Sequence, residues 1–379
     1  METTSGFREF ECTACTATFD AERVETRCPS CAAVLVARYD LSVDGDKDRP
    51  AAPPLPVPGD ALVSINEGET PATDCETLAE EIGIDRLRIK DEGRNPTGAV
   101  TDRGIAVAIS AATQRGADDV ALPTTGNGGQ SAAAYAGRAG LGSHSYVPAR
   151  CPFVNKAMIN VHGGDMNVVE GRYPDALDAY ESGHEDGWAA IGPASPYRRE
   201  GLKGLYYELV GDGSPVPDAI VVPAGHGIVV AAIHSAIEEL QAADVVAETP
   251  RLYAVQPTGC APIATACETG SDIESESQPD TIVGPLEVPD PAVGTLAVDA
   301  VEATGGTGVT VSDEDALQAA VDAASTTGIE MSATGGVALA GVRERTDEFD
   351  SMENVVVVNP VAGSKEDDLL RSHLMSQGL

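Results

Sequence analysis

Short apolar runs alternate with segments of helical periodicity along most of this chain. From Ala61 onward, runs such as "DVALPTT", "AIVVPAG" and "ENVVVVNPVAG" each precede a stretch that is patterned as an amphipathic helix. The apolar runs are rich in β-branched residues and do not alternate with polar ones, which predicts strands covered by helices on both faces. Strands and helices in regular alternation predict a parallel α/β architecture.

Two stretches depart from this alternation. Residues 41–60 are rich in Pro and Asp, which predicts a linker after an N-terminal segment of residues 1–40. Residues 270–292 are acidic and aperiodic, which indicates a surface excursion. The most apolar helix pattern, "GIVVAAIHSAI", is too short to span a bilayer, and the chain shows no signal peptide. We therefore expect a soluble, cytoplasmic protein.

The charge balance narrows the classes of function. The chain of 379 residues carries 60 Asp and Glu against 24 Lys and Arg, a formal net charge of -36. Because the acidic residues are spread along the whole chain, they fit a halophilic surface, where counter-ions screen the repulsion. The sequence has no basic stripe that would neutralise phosphates, so we expect neither a nucleic-acid nor a membrane partner.

Four cysteines near the N-terminus follow a metal-ligand pattern. The stretch "CTACTATFDAERVETRCPSC" has the spacing C-x2-C-x12-C-x2-C, which can place four thiolates around one Zn²⁺. We expect a structural zinc ribbon in residues 1–40 with the ligands Cys12, Cys15, Cys28 and Cys31. Iron is an alternative metal, and two disulfides are an alternative that a reducing cytoplasm disfavours. The other four cysteines are scattered and fit small buried residues.

Several strand-to-helix corners carry candidate binding chemistry. "TTGNGGQSAAAYAGRAG" at 124–140 leads into a helix of small residues, whose N-terminal amides favour an anion. "VVPAGHGIVVAA" at 221–232 is a second corner, in which His226 fits a capping or solvated turn residue, and "GSKED" at 363–367 is a third. Ligands of open α/β sheets bind at the carboxyl ends of strands, so converging corners would form a small-molecule site. A plain tight turn is the alternative for each corner.

The order of these motifs resembles the threonine synthase family of fold-type II pyridoxal-phosphate (PLP) enzymes across nearly the whole chain. The ordered pieces are the four-cysteine ribbon, "IKDEGRNPTG", "DRG", "TTGNGGQSAAAYAGRAG", "PYRREGLKGLYYEL", "VVPAGHG", "AVQPTGCAPI" and "TGGTGVTVSDEDALQAA". The resemblance implies a two-domain α/β fold, tryptophan synthase β-like, with a large domain of residues 61–99 and 186–379 and a small domain of 100–185. It also implies a homodimer, PLP as cofactor, and the conversion of O-phosphohomoserine to threonine as the family reaction.

The lysine that links PLP in the family has no counterpart at its position. The family corner reads Asn-Pro-Thr-Gly-Ser-Phe-Lys-Asp-Arg-Gly, and the lysine is replaced by Thr101, whose hydroxyl cannot form an imine and shuttles protons poorly. The threonine that faces the pyridine nitrogen in the family corresponds to Pro360 here. The matching cofactor-binding positions are Gly126, Asn127, Gly225, His226 and Gly227, and the matching substrate-binding positions are Thr97, Thr125 and Arg198.

Three functions stay open on these residues. The first is a threonine synthase-like paralogue with lost or altered catalysis, a pseudoenzyme candidate that binds a small anionic metabolite or non-covalent PLP. The second is an active PLP-dependent lyase or synthase with a displaced base, for which Asp102 and His226 are candidates. The third is a structural or regulatory subunit of an active paralogue. The change at Thr101 is what separates these functions from the family reaction.

Overall fold

The structure, a computed structural model, describes residues 1–24, 26–41, 52–211, 213–349 and 354–378. Residues 42–51 of the predicted linker lie outside these ranges. The chain divides into two compact units. Unit 1 comprises Met1–Gly68, Thr101–Gly211 and Ala232–Ala247, and unit 2 comprises Glu69–Val100, Asp212–Ala231 and Glu248–Leu379. The domain boundaries inferred from the family resemblance stay a prediction.

Strands and helices alternate through both units. The strands are β1 (Phe7–Cys12), β2 (Thr18–Phe19), β3 (Leu35–Tyr39), β4 (Ala72–Asp74), β5 (Leu87–Asp91), β6 (Asp119–Pro123), β7 (Gly142–Pro148), β8 (Asp165–Val169), β9 (Trp188–Ala190), β10 (Ala219–Pro223), β11 (Arg251–Pro257), β12 (Gly308–Val311) and β13 (Val355–Asn359). The helices are α1 (Glu76–Ile82), α2 (Thr101–Gln114), α3 (Asn127–Ala139), α4 (Phe153–Val161), α5 (Tyr173–Gly183), α6 (Pro196–Leu202), α7 (Gly204–Gly211), α8 (Ile228–Ala242), α9 (Pro262–Thr269), α10 (Gly294–Ala303), α11 (Asp313–Thr327), α12 (Ala333–Glu344), α13 (Thr346–Phe349) and α14 (Asp367–Ser376).

Unit 1 contains two sheets. The strand order of the antiparallel sheet is β2-β1-β3, and this sheet carries the four-cysteine segment, with Cys12 opposite Leu35. The parallel sheet has the order β8-β7-β6-β9. Phe10 and Leu35 belong to one buried apolar cluster together with Ile105 of α2 and Tyr135 of α3. The ribbon sheet is therefore packed into the core of unit 1.

Helices α2 and α6 cross with their backbones in contact. A Cβ at Gly104 would lie 2.4 Å from the carbonyl oxygen of Arg198, and a Cβ at Gly201 would lie 2.0 Å from the carbonyl oxygen of Arg103. No side chain fits at such distances, so both crossing positions require glycine. The crossing holds α6 close against α2.

The single tryptophan of the chain lies on β9 in unit 1. Its ring stacks on His144 of β7, with 3.8 Å between ring centroids and 5° between planes. Nε2 of His144 lies 2.8 Å from a carboxylate oxygen of Asp119. Trp188 is thus held in a defined environment at the sheet of unit 1.

Unit 2 is built on one six-stranded sheet of order β12-β11-β10-β13-β5-β4, in which only β4 runs antiparallel. The central strand β13, "VVVVN", is buried at every position, as expected for a strand covered on both faces. The predicted parallel α/β architecture is confirmed. Within the described ranges, no helix has both the length and the apolar character needed to cross a membrane.

Candidate functional site

The four N-terminal cysteines meet at one point of unit 1. Their sulfur atoms all lie within 4.8 Å of one another, with Cys12 to Cys31 at 3.4 Å and Cys15 to Cys28 at 3.7 Å. A tetrahedral Zn²⁺ with bonds of about 2.3 Å separates its ligands by about 3.8 Å, so the cluster has the size of a single-ion site. The N–H of Cys15 donates to Cys12 Sγ and lowers the pKa of Cys12 to about 6, whereas hydrogen bonds among the thiols raise the pKa of Cys15 and of Cys31 against the lowering effect of nearby main-chain N–H groups. The identity of the metal stays a prediction.

Thr101 begins α2, and its hydroxyl contacts α3. Thr101 Oγ1 lies 2.7 Å from Ser131 Oγ, and the Ser131 hydroxyl donates to the Asn127 carbonyl at 3.1 Å. Because Ser131 directs its proton to that carbonyl, the Thr101 hydroxyl is the donor in the contact between the two. A hydroxyl held in this way provides neither an amine for an imine nor a base at neutral pH.

The lysines within the described ranges are all bonded to oxygen atoms, whereas Lys47 lies outside those ranges. The contacts are those of Lys90 with the Thr70 carbonyl at 2.5 Å, Lys156 with the Ala149 carbonyl at 3.0 Å, Lys203 with Glu200 and Glu239 at 2.7 Å each, and Lys365 with the Thr97 carbonyl at 2.9 Å. These contacts hold the ammonium groups as structural donors. Each of the described lysines is thus engaged by protein oxygen atoms, and none of them occupies the sequence position of the family lysine, which is Thr101.

The N-terminus of α3 is formed by glycines that polar side chains approach closely. Gly126 has a φ of +139° and donates its N–H to Thr124 Oγ1 at 3.0 Å. A Cβ at Gly126 would lie 2.6 Å from Asn155 Nδ2 and 2.8 Å from Cys151 Sγ. The first N–H groups of a helix lack intrahelical partners and attract anions. The predicted residues Thr125, Gly126 and Asn127 all lie at this helix end.

Arg198 is a buried cation with no carboxylate partner in the part of the chain that the structure describes. Arg198 is 6% exposed, and its Nε has no hydrogen-bond partner. Its Nη2 lies 3.5 Å from the place that a Cβ of Gly128 would take, in the first turn of α3. Burial lowers the pKa of Arg198 to about 10, and the opposing influence comes from Tyr173, not from a carboxylate. Such a guanidinium gains its missing partner when an anion binds.

Three more buried side chains around this helix end have an unpaired oxygen. They are Asn127 Oδ1, Ser145 Oγ and Asn155 Oδ1. Native proteins pair nearly all buried polar atoms, so a group of unpaired ones marks a place for water or a ligand. Sequence reasoning missed Ser145 and Asn155, because β7 and α4 bring them to α3 only in the folded chain. We call this group, with Arg198, the α3 corner.

The glycine loop before α8 belongs to unit 2 and holds the predicted residues Gly225, His226 and Gly227. The carbonyl of His226 accepts from the Val293 N–H at 3.1 Å, and His226 Nδ1 accepts from the Ala292 N–H at 3.3 Å. Gly227 has a φ of +81°, and a Cβ there would lie 2.7 Å from that of Ala297. In these contacts His226 acts as a turn and capping residue.

A second polar cluster lies in unit 2, at the end of β13. Asn359 donates to Asp91 Oδ1 at 2.9 Å and accepts from the Ser332 hydroxyl at 3.2 Å. Glu366 accepts from the Thr334 N–H at 2.8 Å and from its hydroxyl at 2.6 Å. We call this group the β13 corner. Its residues cap α12 and join neighbouring strand ends.

The remaining two positions of interest are also in unit 2. Pro360 carries no hydroxyl, and its carbonyl accepts from the Val100 N–H at 2.8 Å. Thr97 is buried, and its carbonyl accepts from Lys365. The binding roles carried over from the family to Thr97, Thr125 and the other positions stay predictions.

Comparison with known proteins agrees with the fold. A model of the family described as "Pyridoxal-phosphate dependent enzyme" matches residues 63–361. Maize serine racemase superposes with a TM-score of 0.68 at 19% identity, covering 82% of this chain and 94% of that one. This chain therefore belongs to the pyridoxal-phosphate dependent enzyme family, and its fold is of type II.

Two archaeal relatives make the assignment more specific. The threonine synthase of Methanosarcina acetivorans is 31% identical over 351 residues, which is 89% of this chain and 86% of the relative. That of Methanocaldococcus jannaschii is 29% identical over 376 residues, or 94% and 93%. Within the family, this chain is threonine synthase-like.

Proposed function

We propose that this threonine synthase-like chain binds a small anionic metabolite at the α3 corner and has lost the lysine-dependent chemistry of its family. Arg198 carries the proposal, because it is a buried guanidinium beside a glycine-lined helix N-terminus, and no carboxylate among the described residues balances it. A phosphate or carboxylate there would accept from the guanidinium and from the first N–H groups of α3.

The residues do not fit a PLP linked to lysine. Thr101 donates its hydroxyl within α2 and α3, and the described lysines are held by other oxygen atoms. Pro360 offers no hydroxyl at the position that matches the pyridine-nitrogen partner. Non-covalent PLP fits the proposal only as one phosphate-bearing candidate among other anionic metabolites.

The first test is calorimetric titration with inorganic phosphate in high KCl, where so acidic a chain is screened. Arg198→Met should weaken binding roughly 10- to 150-fold, since hydrogen bonds to charged groups contribute about 1.5–3 kcal/mol. Arg343→Met is the matched control, because Arg343 pairs with Asp322 in unit 2 at 2.7 Å. Equal phosphate binding by all three proteins would refute the assignment of Arg198.

The second test asks whether lysine alone is missing. Purified wild-type protein mixed with PLP and borohydride should yield no PLP-modified lysine peptide. Thr101→Lys should yield one at residue 101 if the remaining pocket still accepts the cofactor. A modified Lys90, Lys156, Lys203 or Lys365 in the wild-type protein would contradict the loss of lysine chemistry.

A further inference from the structure

Helix α6 presents opposite faces to the ribbon sheet and to the α3 corner. Successive helical residues are about 100° apart, so Tyr197, Glu200 and Arg199 span an arc of about 160° around α6. Arg198 lies outside this arc, about 100° from both Tyr197 and Arg199. Arg198 reaches the first turn of α3, and Gly201 packs on α2. All of these residues belong to unit 1. Helix α6 therefore lies between the ribbon sheet and the α3 corner.

The face of α6 toward the ribbon sheet is bonded to the backbone of the ribbon. The Tyr197 hydroxyl donates to the carbonyl of Ala21, and its ring packs edge-on against Phe10 with 5.0 Å between centroids. Arg199 Nη2 donates to the carbonyl of Leu35 at 2.6 Å. Both acceptors are main-chain atoms, so their positions follow the path of the ribbon backbone.

A side-chain network adds to these contacts. The Tyr39 hydroxyl of β3 donates to Glu200 Oε2 at 2.7 Å. Lys203 Nζ lies 2.7 Å from Glu200 and 4.4 Å from the centre of the Tyr39 ring. Burial and the neighbouring Glu200 raise the pKa of Tyr39, so its hydroxyl stays a donor. The ribbon therefore contacts α6 at three residues of one helical turn, Tyr197, Arg199 and Glu200, which flank the predicted anion ligand Arg198.

The contacting ribbon residues are directly connected to the cysteines. Leu35 is the register partner of Cys12, and Phe10 lies two positions before Cys12 on β1. Ala21 lies in the segment between the two cysteine pairs. A metal bound by the four sulfur atoms would close this segment into one loop and fix the carbonyl groups that α6 uses.

We propose that the ribbon positions Arg198 through α6, so that a metal ion at the four cysteines and an anion at Arg198 strengthen each other's binding. This inference rests on the proposed anion site. Arg198 has no carboxylate partner of its own in the described ranges, so its placement depends on the helix that carries it. Loosening the ribbon would let α6 shift and move the guanidinium away from the first turn of α3. Coupled sites typically change each other's affinity 5- to 150-fold, and the change is reciprocal.

The test compares the full-length protein with Zn²⁺ bound and after removal of the metal by a chelator. Phosphate affinity is measured by calorimetry, and circular dichroism confirms that the stripped protein is folded. We expect phosphate to bind roughly tenfold more weakly after metal removal. Saturating phosphate should strengthen Zn²⁺ binding by the same factor in an equilibrium competition with the chelator.

A metal-loaded variant covers the case in which stripping unfolds the chain. The double variant Tyr39→Phe and Tyr197→Phe keeps both rings and removes both hydroxyl contacts between the ribbon and α6. It should retain one Zn²⁺ per chain and bind phosphate several-fold more weakly. Tyr253→Phe, a buried tyrosine of unit 2 that packs on Phe349, is the matched control and should bind phosphate as the wild type does.

The outcomes distinguish a failure of the coupling between metal and anion from a failure of the anion site itself. Undiminished phosphate affinity in both the folded, stripped protein and the double variant would overturn the coupling and leave the anion site standing. Failure of the zinc-loaded wild type to bind phosphate would overturn the proposed function and, with it, the inference that depends on it.

Discussion

The α3 corner of unit 1 and the β13 corner of unit 2 are both buried polar clusters at the carboxyl ends of strands, yet their hydrogen bonding differs. In the β13 corner, the carboxylate of Glu366 and the amide of Asn359 are satisfied by main-chain and side-chain groups of the same unit. In the α3 corner, Arg198, Ser145 and Asn155 retain unpaired atoms. A cluster whose hydrogen-bonding groups are all paired holds strand ends and helix caps together. A cluster with unpaired groups can use them to bind a ligand.

The difference separates residues that stabilise the fold from residues that bind. Removing a side chain from a satisfied cluster leaves its partners unpaired and lowers stability. Removing one from an unsatisfied cluster relieves a desolvation cost in the free protein and harms only binding. Matched substitutions in the two corners should therefore change the free energy of unfolding in opposite directions.

The largest expected effect is in the β13 corner. Glu366→Leu leaves the N–H and hydroxyl of Thr334 without their acceptor, so we expect the free energy of unfolding to fall by about 2–4 kcal/mol. Denaturant unfolding measures the loss. Glu268→Leu, at a more exposed ion pair with Arg345 in the same unit, is the control and should change little. A neutral Glu366→Leu would show that this cluster is not structural.

Arg198→Met should act in the opposite direction. Without ligand, we expect the free energy of unfolding to rise by about 1–2 kcal/mol, because a buried cation that has no carboxylate partner among the described residues is replaced by an apolar side chain of similar length. Phosphate should raise the melting temperature of the wild type but not of the variant. Arg199→Met, one residue further along α6, removes a bonded guanidinium and should destabilise. If both variants lose stability alike, Arg198 has a structural partner after all.

Two buried serines give a smaller contrast. Ser145→Ala removes an unpaired hydroxyl at the α3 corner and should leave stability unchanged or raise it by up to about 1 kcal/mol. Ser332→Ala removes the N-cap of α12, which accepts from the Gly335 N–H at 2.9 Å, and should cost about 1 kcal/mol. Thermal unfolding at matched salt compares the two, and equal losses would contradict the contrast.

The smallest expected effect is on the pH dependence of the free energy of unfolding, to which Glu366 contributes. Burial raises the pKa of Glu366, although bonds from Thr334 oppose the shift and the Lys365 charge also favours the ionised form. The folded state then holds the proton more tightly than the unfolded state, so this contribution to stability is complete below pH 4.5 and is lost as pH rises through the folded pKa. Glu366→Gln should remove that decline, which is at most about 1.4 kcal/mol per pH unit. Identical slopes of the free energy of unfolding against pH in the wild type and the variant would argue against this contribution of Glu366.

The fold and the family could be predicted from the sequence more fully than the candidate site. Unalternating valine runs such as β13 predicted covered parallel strands, and ordered motifs predicted the family; both predictions are confirmed. The spacing of Cys12, Cys15, Cys28 and Cys31 predicted sulfur atoms in one cluster, which the structure contains. These features are local or follow from motif order.

The α3 corner depends on contacts that no local pattern encodes. Ser145 and Asn155 lie on separate elements from Gly126, and whether their oxygen atoms find partners is decided by packing. The same holds for the contact of Arg199 with Leu35, which joins residues far apart in sequence. Motifs identified Thr101 as a departure from the family but gave no sign that its hydroxyl is bonded to Ser131.

The single tryptophan makes intrinsic fluorescence a reporter of one half of this molecule. Trp188 stacks on His144 within unit 1, and unit 2 contains no tryptophan. Emission will therefore follow the unfolding of unit 1 alone, whereas far-ultraviolet circular dichroism averages both units. Denaturation curves from the two signals that fail to coincide would reveal that the units unfold separately, and no engineered label is needed to observe it.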